Sequence, residues 1–183
     1  EIINQLATLK GKKARIALRI NPNVGAHTHA NITTGLAENK FGIDMQDMEH
    51  VISVANGMEA IEFIGLHFHI GSQILEMEDF AALSRRVNEI QDRLKAAGIS
   101  TVSDINVGGG LGIDYQHPDH NLIPDFTSYF NTYRKKLRLR PGQQLHFELG
   151  RAIVGQCGTL LARVLYIKSN PIKNFCIVDA GMT

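Results

Sequence analysis

Three short patches of this chain carry groups that could do chemistry: His67-Phe68-His69-Ile70-Gly71-Ser72, Gly108-Gly109-Gly110 and Glu148-Leu149-Gly150-Arg151. Each follows or ends a short apolar run of the kind that forms a β-strand. His67 and His69 are two apart, so in a strand both project to one side and Phe68 to the other. Histidines so placed are a common metal pair. A catalytic zinc needs a third protein ligand, for which His146, Glu148 or Asp179 could be recruited without any fixed spacing. The bland alternative is a pair of hydrogen-bonded core histidines. The residues that follow open another route: Gly71 permits close backbone approach, and the Ser72 hydroxyl can bond a phosphate oxygen. An imidazole just before them could lie flat against an aromatic ring.

The glycine triplet has Gly112 close behind it. Successive glycines can turn several N–H groups toward one anion, although turns also use glycine freely. His146 and Glu148 share a face opposite Leu145 and Phe147. Inside a barrel a carboxylate needs a partner, which would be the protonated ring nitrogen of a bound heterocycle or an interior arginine such as Arg19. Arg151 can clamp a phosphate or carboxylate through two parallel hydrogen bonds, or form a surface ion pair. The combined inventory suits an aromatic cofactor that carries a phosphate.

The elements that must position these groups follow an α/β cadence. Ala14, Ile16, Leu18 and Ile20 alternate on one face of a strand that Asn21-Pro22-Asn23 ends. Residues 25–39 are polar and too long for a tight connection, which marks a candidate functional loop. Asp44 is the expected N-cap of a helix bearing Met48, Val51, Ile52 and Ala55, with Gly57 as its stop. Strands are expected over Ile61–Ile70, Thr101–Val107 and Leu145–Leu149, roughly forty residues apart between centres. Between them lie amphipathic helices: Phe80, Leu83, Val87, Ile90 and Leu94, closed by Gly98, and then Phe126, Phe130, Tyr133 and Leu137. The cations Arg134, Lys135, Lys136 and Arg138 lie where the helix dipole favours them and read as a solvated face. Four such units make half of a (β/α) barrel, and phosphate sites in such barrels sit on the loops after the last two strands. After Arg151, Thr159–Lys168 and Phe175–Val178 read as a hairpin opening an all-β segment, which puts a boundary near residue 152.

Composition narrows the classes. A hydrophobic share of 44% and a net charge of +1 over 183 residues fit a globular protein and give no sustained basic face for nucleic acid. Cys157 and Cys176 form no metal-ligand pattern and suggest a reducing compartment. No apolar run approaches the ~20 residues of a membrane span and no signal-peptide pattern is present, so a soluble cytoplasmic protein is expected. The chain opens on Glu1 and stops at Thr183 directly after a strand-like run, which suggests a piece lacking both ends.

Ordered motifs across nearly the whole chain resemble those of the fold-type III, pyridoxal-phosphate-dependent amino acid decarboxylases. They are Leu18-Arg19-Ile20-Asn21-Pro22-Asn23, Thr34-Gly35 through Asn39-Lys40-Phe41-Gly42-Ile43, Gly65 to Gln73, Val107 to Tyr115, Glu148 to Val154, and Val178-Asp179-Ala180-Gly181-Met182. The resemblance implies the second half of a pyridoxal-phosphate-binding (β/α)8 TIM-type barrel over residues 1–152 and the start of a C-terminal β-domain over 153–183. It implies His69 against the cofactor ring, and Ser72, Gly108, Gly109 and Gly110 near the phosphate. Glu148 would pair with the pyridine nitrogen, and the turn through Leu149, Gly150 and Arg151 would complete the phosphate environment. Arg151 and Asp179 would meet the substrate. It further implies a homodimer with shared active sites, with Lys40 at the contact. Gly71-Ser72-Gln73 after the paired histidines favours meso-diaminopimelate over ornithine as substrate, giving L-lysine and CO2. There are two departures. Leu149 stands where the family usually has proline, so an intact turn with altered backbone freedom is expected. The lysine that such enzymes attach to the cofactor belongs to an earlier strand and has no counterpart motif here, so this chain alone is expected to be inactive. The rival readings are a decarboxylase of another basic amino acid or carboxy-polyamine, a non-catalytic pyridoxal-phosphate-binding barrel, and a barrel metal hydrolase built on His67 and His69.

Overall fold

The computed structural model describes residues 1–25 and 41–181. Lys40, Thr34-Gly35 and Met182 therefore lie outside the described residues. Strands β1 (Ala14–Arg19), β2 (Ile61–His67), β3 (Asp104–Asn106) and β4 (Gln144–His146) form one parallel sheet in the order β1-β2-β3-β4. Helices α2 (Met48–Asn56), α3 (Met77–Ala96) and α4 (Phe126–Lys136) occupy the crossovers. A parallel sheet whose spatial order follows chain order through helical crossovers is an arc of a (β/α) barrel; a doubly wound sheet would reverse its order midway. Helix α1 (Ile2–Leu9) precedes β1, the short α5 (Gly150–Val154) follows β4, and β5 (Val164–Ser169) pairs antiparallel with β6 (Asn174–Val178).

Burial explains the layers. Phe80, Leu83, Val87, Ile90 and Leu94 of α3 lie on one stripe and are buried against the outer face of the sheet, where Leu66, Phe68, Ile105 and Val107 meet them. Helix α3 ends as its glycine predicts: Gly98 has φ +77°, and Ile99 N–H donates to Leu94 O while Gly98 N–H donates to Lys95 O. Helix α4 begins at Asp125, whose side chain accepts from Ser128 N–H at 2.8 Å. Its buried face carries Tyr129, edge-on to Phe80, and Tyr133, edge-on to Phe147. Tyr133 and Leu137 of the expected stripe are buried and Phe126 packs against the core, but Tyr129 is buried in place of Phe130, which is exposed.

Buried Asn88 ties α3 to the end of α4. Its Nδ2 donates to Lys136 O and its Oδ1 accepts from Arg138 N–H, each at 2.8 Å. Replacing it by alanine strands two backbone groups and is expected to destabilise the protein by about 1–3 kcal/mol. Thermal unfolding of full-length Asn88→Ala against wild type measures this; an unchanged midpoint would contradict it.

Several boundaries differ from the sequence expectation. Helix α2 starts at Met48 with Asp47 at its cap, because Asp44 closes a separate turn by accepting Asp47 N–H on its carbonyl. Met48, Ile52 and Ala55 still form its buried face. Strand β2 ends at His67 rather than Ile70, and β3 is only three residues long. Ser103 and Val107 continue the β3 ladder as single bonds to Ile64 O and His146 O. Strand β4 ends at His146 because Gly150 already starts α5, and β5 starts at Val164 rather than Thr159. Neither α1 nor α5 is anticipated by the sequence reading. No described helix is long and apolar enough to cross a membrane.

Candidate functional site

The chemistry-bearing patches all lie at the C-terminal ends of the parallel strands, the face on which (β/α) barrels build their sites. Register places His67, Asn106 and His146 side by side on β2, β3 and β4. Glu148 follows two residues beyond His146, on the same face. Its Oε1 accepts from Asn106 Nδ2 at 2.9 Å, and its Oε2 lies 3.5 Å from His67 Nε2. These groups, rather than Arg19, are the partners of the carboxylate. The Arg19 guanidinium lies over the Phe41 ring, 5.3 Å from its centre.

The glycine triplet is wedged between its two neighbouring loops. A Cβ on Gly108 would sit 2.4 Å from Phe68 O, one on Gly109 2.1 Å from Glu148 O, and one on Gly110 2.7 Å from Gly71 O. Gly108 and Gly110 also have φ of +73° and +105°, which L side chains rarely adopt. Glu148 N–H donates to Gly108 O at 2.8 Å, so the carboxylate and the glycine bend share one rigid junction. The N–H of Gly108 is not available to an anion, because it donates to Asn106 Oδ1 at 2.9 Å. The several N–H groups expected to turn toward an anion thus leave out that of Gly108, which is spent within the chain.

Ser72 and Arg151 meet from opposite sides: Arg151 Nε donates to Ser72 Oγ at 3.3 Å. Arg151 also donates to the Tyr115 hydroxyl, and its guanidinium carbon lies 5.8 Å from the Tyr115 ring centre. Leu149 is the N-cap of α5, with φ −81°, and its side chain is buried in the core. This φ lies at the edge of the range that proline imposes. Gln73, at φ +60°, turns its amide onto Ile113, donating to its carbonyl at 2.5 Å and accepting its N–H at 3.2 Å. Together with the bridge between Ile74 and Leu111, this zips the loops after β2 and β3 into one unit. The glutamine of the Gly71-Ser72-Gln73 motif thus works as a strut.

His67 closes β2, Phe68 is fully buried in the core, and His69 lies just past the strand with Nδ1 against Gly108. Burial lowers the pKa of His67 from its ordinary 6.5, with Glu148 opposing the shift and Arg19 adding to it. Burial lowers that of His69 too, reinforced by Arg19 and His67. An unfolded chain takes up protons on both below pH 6.5, whereas the folded site resists until lower pH. Their contribution to stability is therefore complete above pH 6.5 and is lost as the pH falls through the depressed folded values. Urea unfolding of the full-length protein between about pH 8 and 5 should weaken toward acid, less steeply in His67→Asn. Equal slopes would contradict the assignment.

The remaining candidates are engaged elsewhere. His146 Nε2 is 2.9 Å from Asp104 Oδ1, and Asp179 Oδ1 accepts Arg163 N–H at 2.8 Å on the β5–β6 hairpin. Asp179 is thus tied to Arg163 across the hairpin. Among the described residues no group of three His, Cys, Asp or Glu side chains is arranged to hold a metal ion. Asn106 is a site residue that the sequence reading did not single out; Tyr115 and Gln73 entered it only as members of motifs, without these roles. Asn106 lies two residues before Gly108, on the same strand face, which was a usable signal.

Comparison with known proteins agrees with this geometry. Residues 1–155 match the family described as pyridoxal-dependent decarboxylase, pyridoxal binding domain. Diaminopimelate decarboxylase of Bacteroides thetaiotaomicron is 66% identical over 183 residues, covering 100% of this chain and 47% of that protein. The Haemophilus influenzae protein of the same name is 41% identical over 180 residues, 98% of this chain and 42% of its own length. The chain thus spans less than half the length of these curated relatives. Among solved structures, a variant of diaminopimelate decarboxylase from Helicobacter pylori complexed with L-lysine matches at TM-score 0.80 and 38% identity, over 98% of this chain and 44% of that one. By fold, by motif and by family match, the chain belongs to the pyridoxal-dependent decarboxylases, through their pyridoxal-binding domain.

Proposed function

We propose that the protein removes CO2 from meso-2,6-diaminopimelate to give L-lysine, with pyridoxal 5′-phosphate as cofactor. The single observation that carries this reading is the junction of Glu148 with the glycine bend, through Glu148 N–H to Gly108 O at 2.8 Å. It sets a carboxylate beside a backbone cradle, as a ring nitrogen and a phosphate on one small molecule require. The donor set fits that cofactor. Glu148 would accept the pyridine N–H and hold that proton on the ring. His69 would lie against the ring face. Ser72, Gly109, Gly110, Gly150 and Arg151 would receive the phosphate. Gly108 and Leu149 shape the turns on which those groups sit. When bound, pyridoxal phosphate supplies an electron sink for the carbanion left as CO2 departs.

We assign Arg151, which Ser72 and Tyr115 hold at the mouth of the phosphate cradle, together with Asp179, to the substrate. Residues 1–152 are assigned to the barrel and 153–183 to the start of a β-domain. The reading includes a cytoplasmic homodimer with shared active sites. The lysine-bound state of the H. pylori relative supports the product. The test is CO2 release by the full-length protein, loaded with pyridoxal phosphate, from meso-diaminopimelate, L-ornithine and L-arginine. A kcat/KM at least about tenfold higher for diaminopimelate is expected, worth about 1.4 kcal/mol of discrimination. Preference for another amine, or no CO2 from any, would overturn the reading.

A further inference from the structure

Asn106 has no chemistry of its own, yet both ends of its carboxamide are committed. Its Nδ2 donates to Glu148 Oε1, and its Oδ1 accepts the Gly108 N–H, each at 2.9 Å. Glu148 needs such a hold. It lies past the end of β4, its side chain is 52% exposed, and its contact with His67 is a long 3.5 Å. An exposed glutamate with three rotatable bonds would otherwise sample several positions. Asn106 closes β3 and shares its layer with His67 and His146, so it is itself fixed by the sheet.

Building on the function proposed above, we infer that Asn106 is a positioning residue that locks the Glu148 carboxylate to the first peptide of the glycine bend. The group meant for the ring nitrogen and the loop meant for the phosphate then keep one fixed offset. A neutral amide suits this position because one end must donate to a carboxylate while the other accepts from a peptide. Leucine has the same bulk and could serve neither bond.

The test is a double-mutant cycle in the full-length protein with Asn106→Ala, Glu148→Gln and the pair, with Asn106→Ser as a second variant should the alanine form fold poorly. Asn106→Ala is expected to lower kcat about 10- to 100-fold with little change in KM, as misplacement of a positioned group does. In the Glu148→Gln background the same change should cost less than about threefold. The absorption maximum of bound cofactor in Asn106→Ala should move toward that of Glu148→Gln. Equal losses in both backgrounds, or an unmoved maximum, would overturn the positioning role while leaving the proposed function standing. Full activity in Glu148→Gln alone would instead overturn the reading on which the inference rests.

Discussion

Glu148→Gln in the full-length protein is expected to lower kcat for meso-diaminopimelate by about 100- to 1,000-fold, the range for losing one preorganised electrostatic contact. Pyridoxal phosphate affinity should fall far less. Glutamine keeps the shape of the side chain, so Asn106 Nδ2 can still donate to its carbonyl oxygen, and the backbone bond from residue 148 to Gly108 O is untouched. What disappears is the negative charge that would keep a proton on the ring nitrogen. Steady-state kinetics paired with cofactor titration of the apoprotein separate the two effects. Equal loss of kcat and affinity would mean that Glu148 merely helps to hold the cofactor.

Gly109→Ala should be the most damaging single methyl group in the site. Its Cβ would stand 2.1 Å from Glu148 O, a backbone atom that cannot swing away. Relief requires the loops after β3 and β4 to part, which also strains the Glu148 N–H to Gly108 O bond. We expect a destabilisation of about 1–3 kcal/mol and a loss of cofactor affinity of at least about tenfold. Gly158→Ala makes the contrast, since nothing lies within 4 Å of its Cβ and its φ is not left-handed. Thermal unfolding and cofactor titration of both variants decide it. Indistinguishable behaviour of the two would remove the steric argument for the triplet.

What the sequence made legible follows from how local each signal is. The stripe of α3 and its Gly98 stop are local, carried by period and by a single backbone angle, and both appear as expected. The lengths of β3 and β4 are not local. They depend on hydrogen bonds to strands about forty residues away and on the early start of α5. Helix α1 escaped because it carries no side-chain cap, no acidic residue in its first turn and no basic one in its last, although Ile2, Leu6 and Leu9 have helical spacing. Helix α5 is too short to show a period and starts on a glycine.

The site divides the same way. His69, Ser72, Glu148 and Arg151 stand out by residue type, and the loops that bear them do come together. Asn106, Tyr115 and Gln73 are ordinary residues until the fold supplies their partners. Their amides and hydroxyl act on Glu148, Arg151 and Ile113 from a neighbouring strand or loop. The glycine triplet was read as an anion nest. Its more basic task is to let three carbonyls of the two neighbouring loops approach within collision distance of any Cβ.

The most direct measurement is a crystal structure of the full-length protein with pyridoxal phosphate bound. One Glu148 carboxylate oxygen should lie about 2.6–3.2 Å from the pyridine nitrogen, with the phosphate against Gly109 and Gly110. A ring nitrogen that faces solvent or another side chain, with Glu148 turned to a different cavity, would contradict the account.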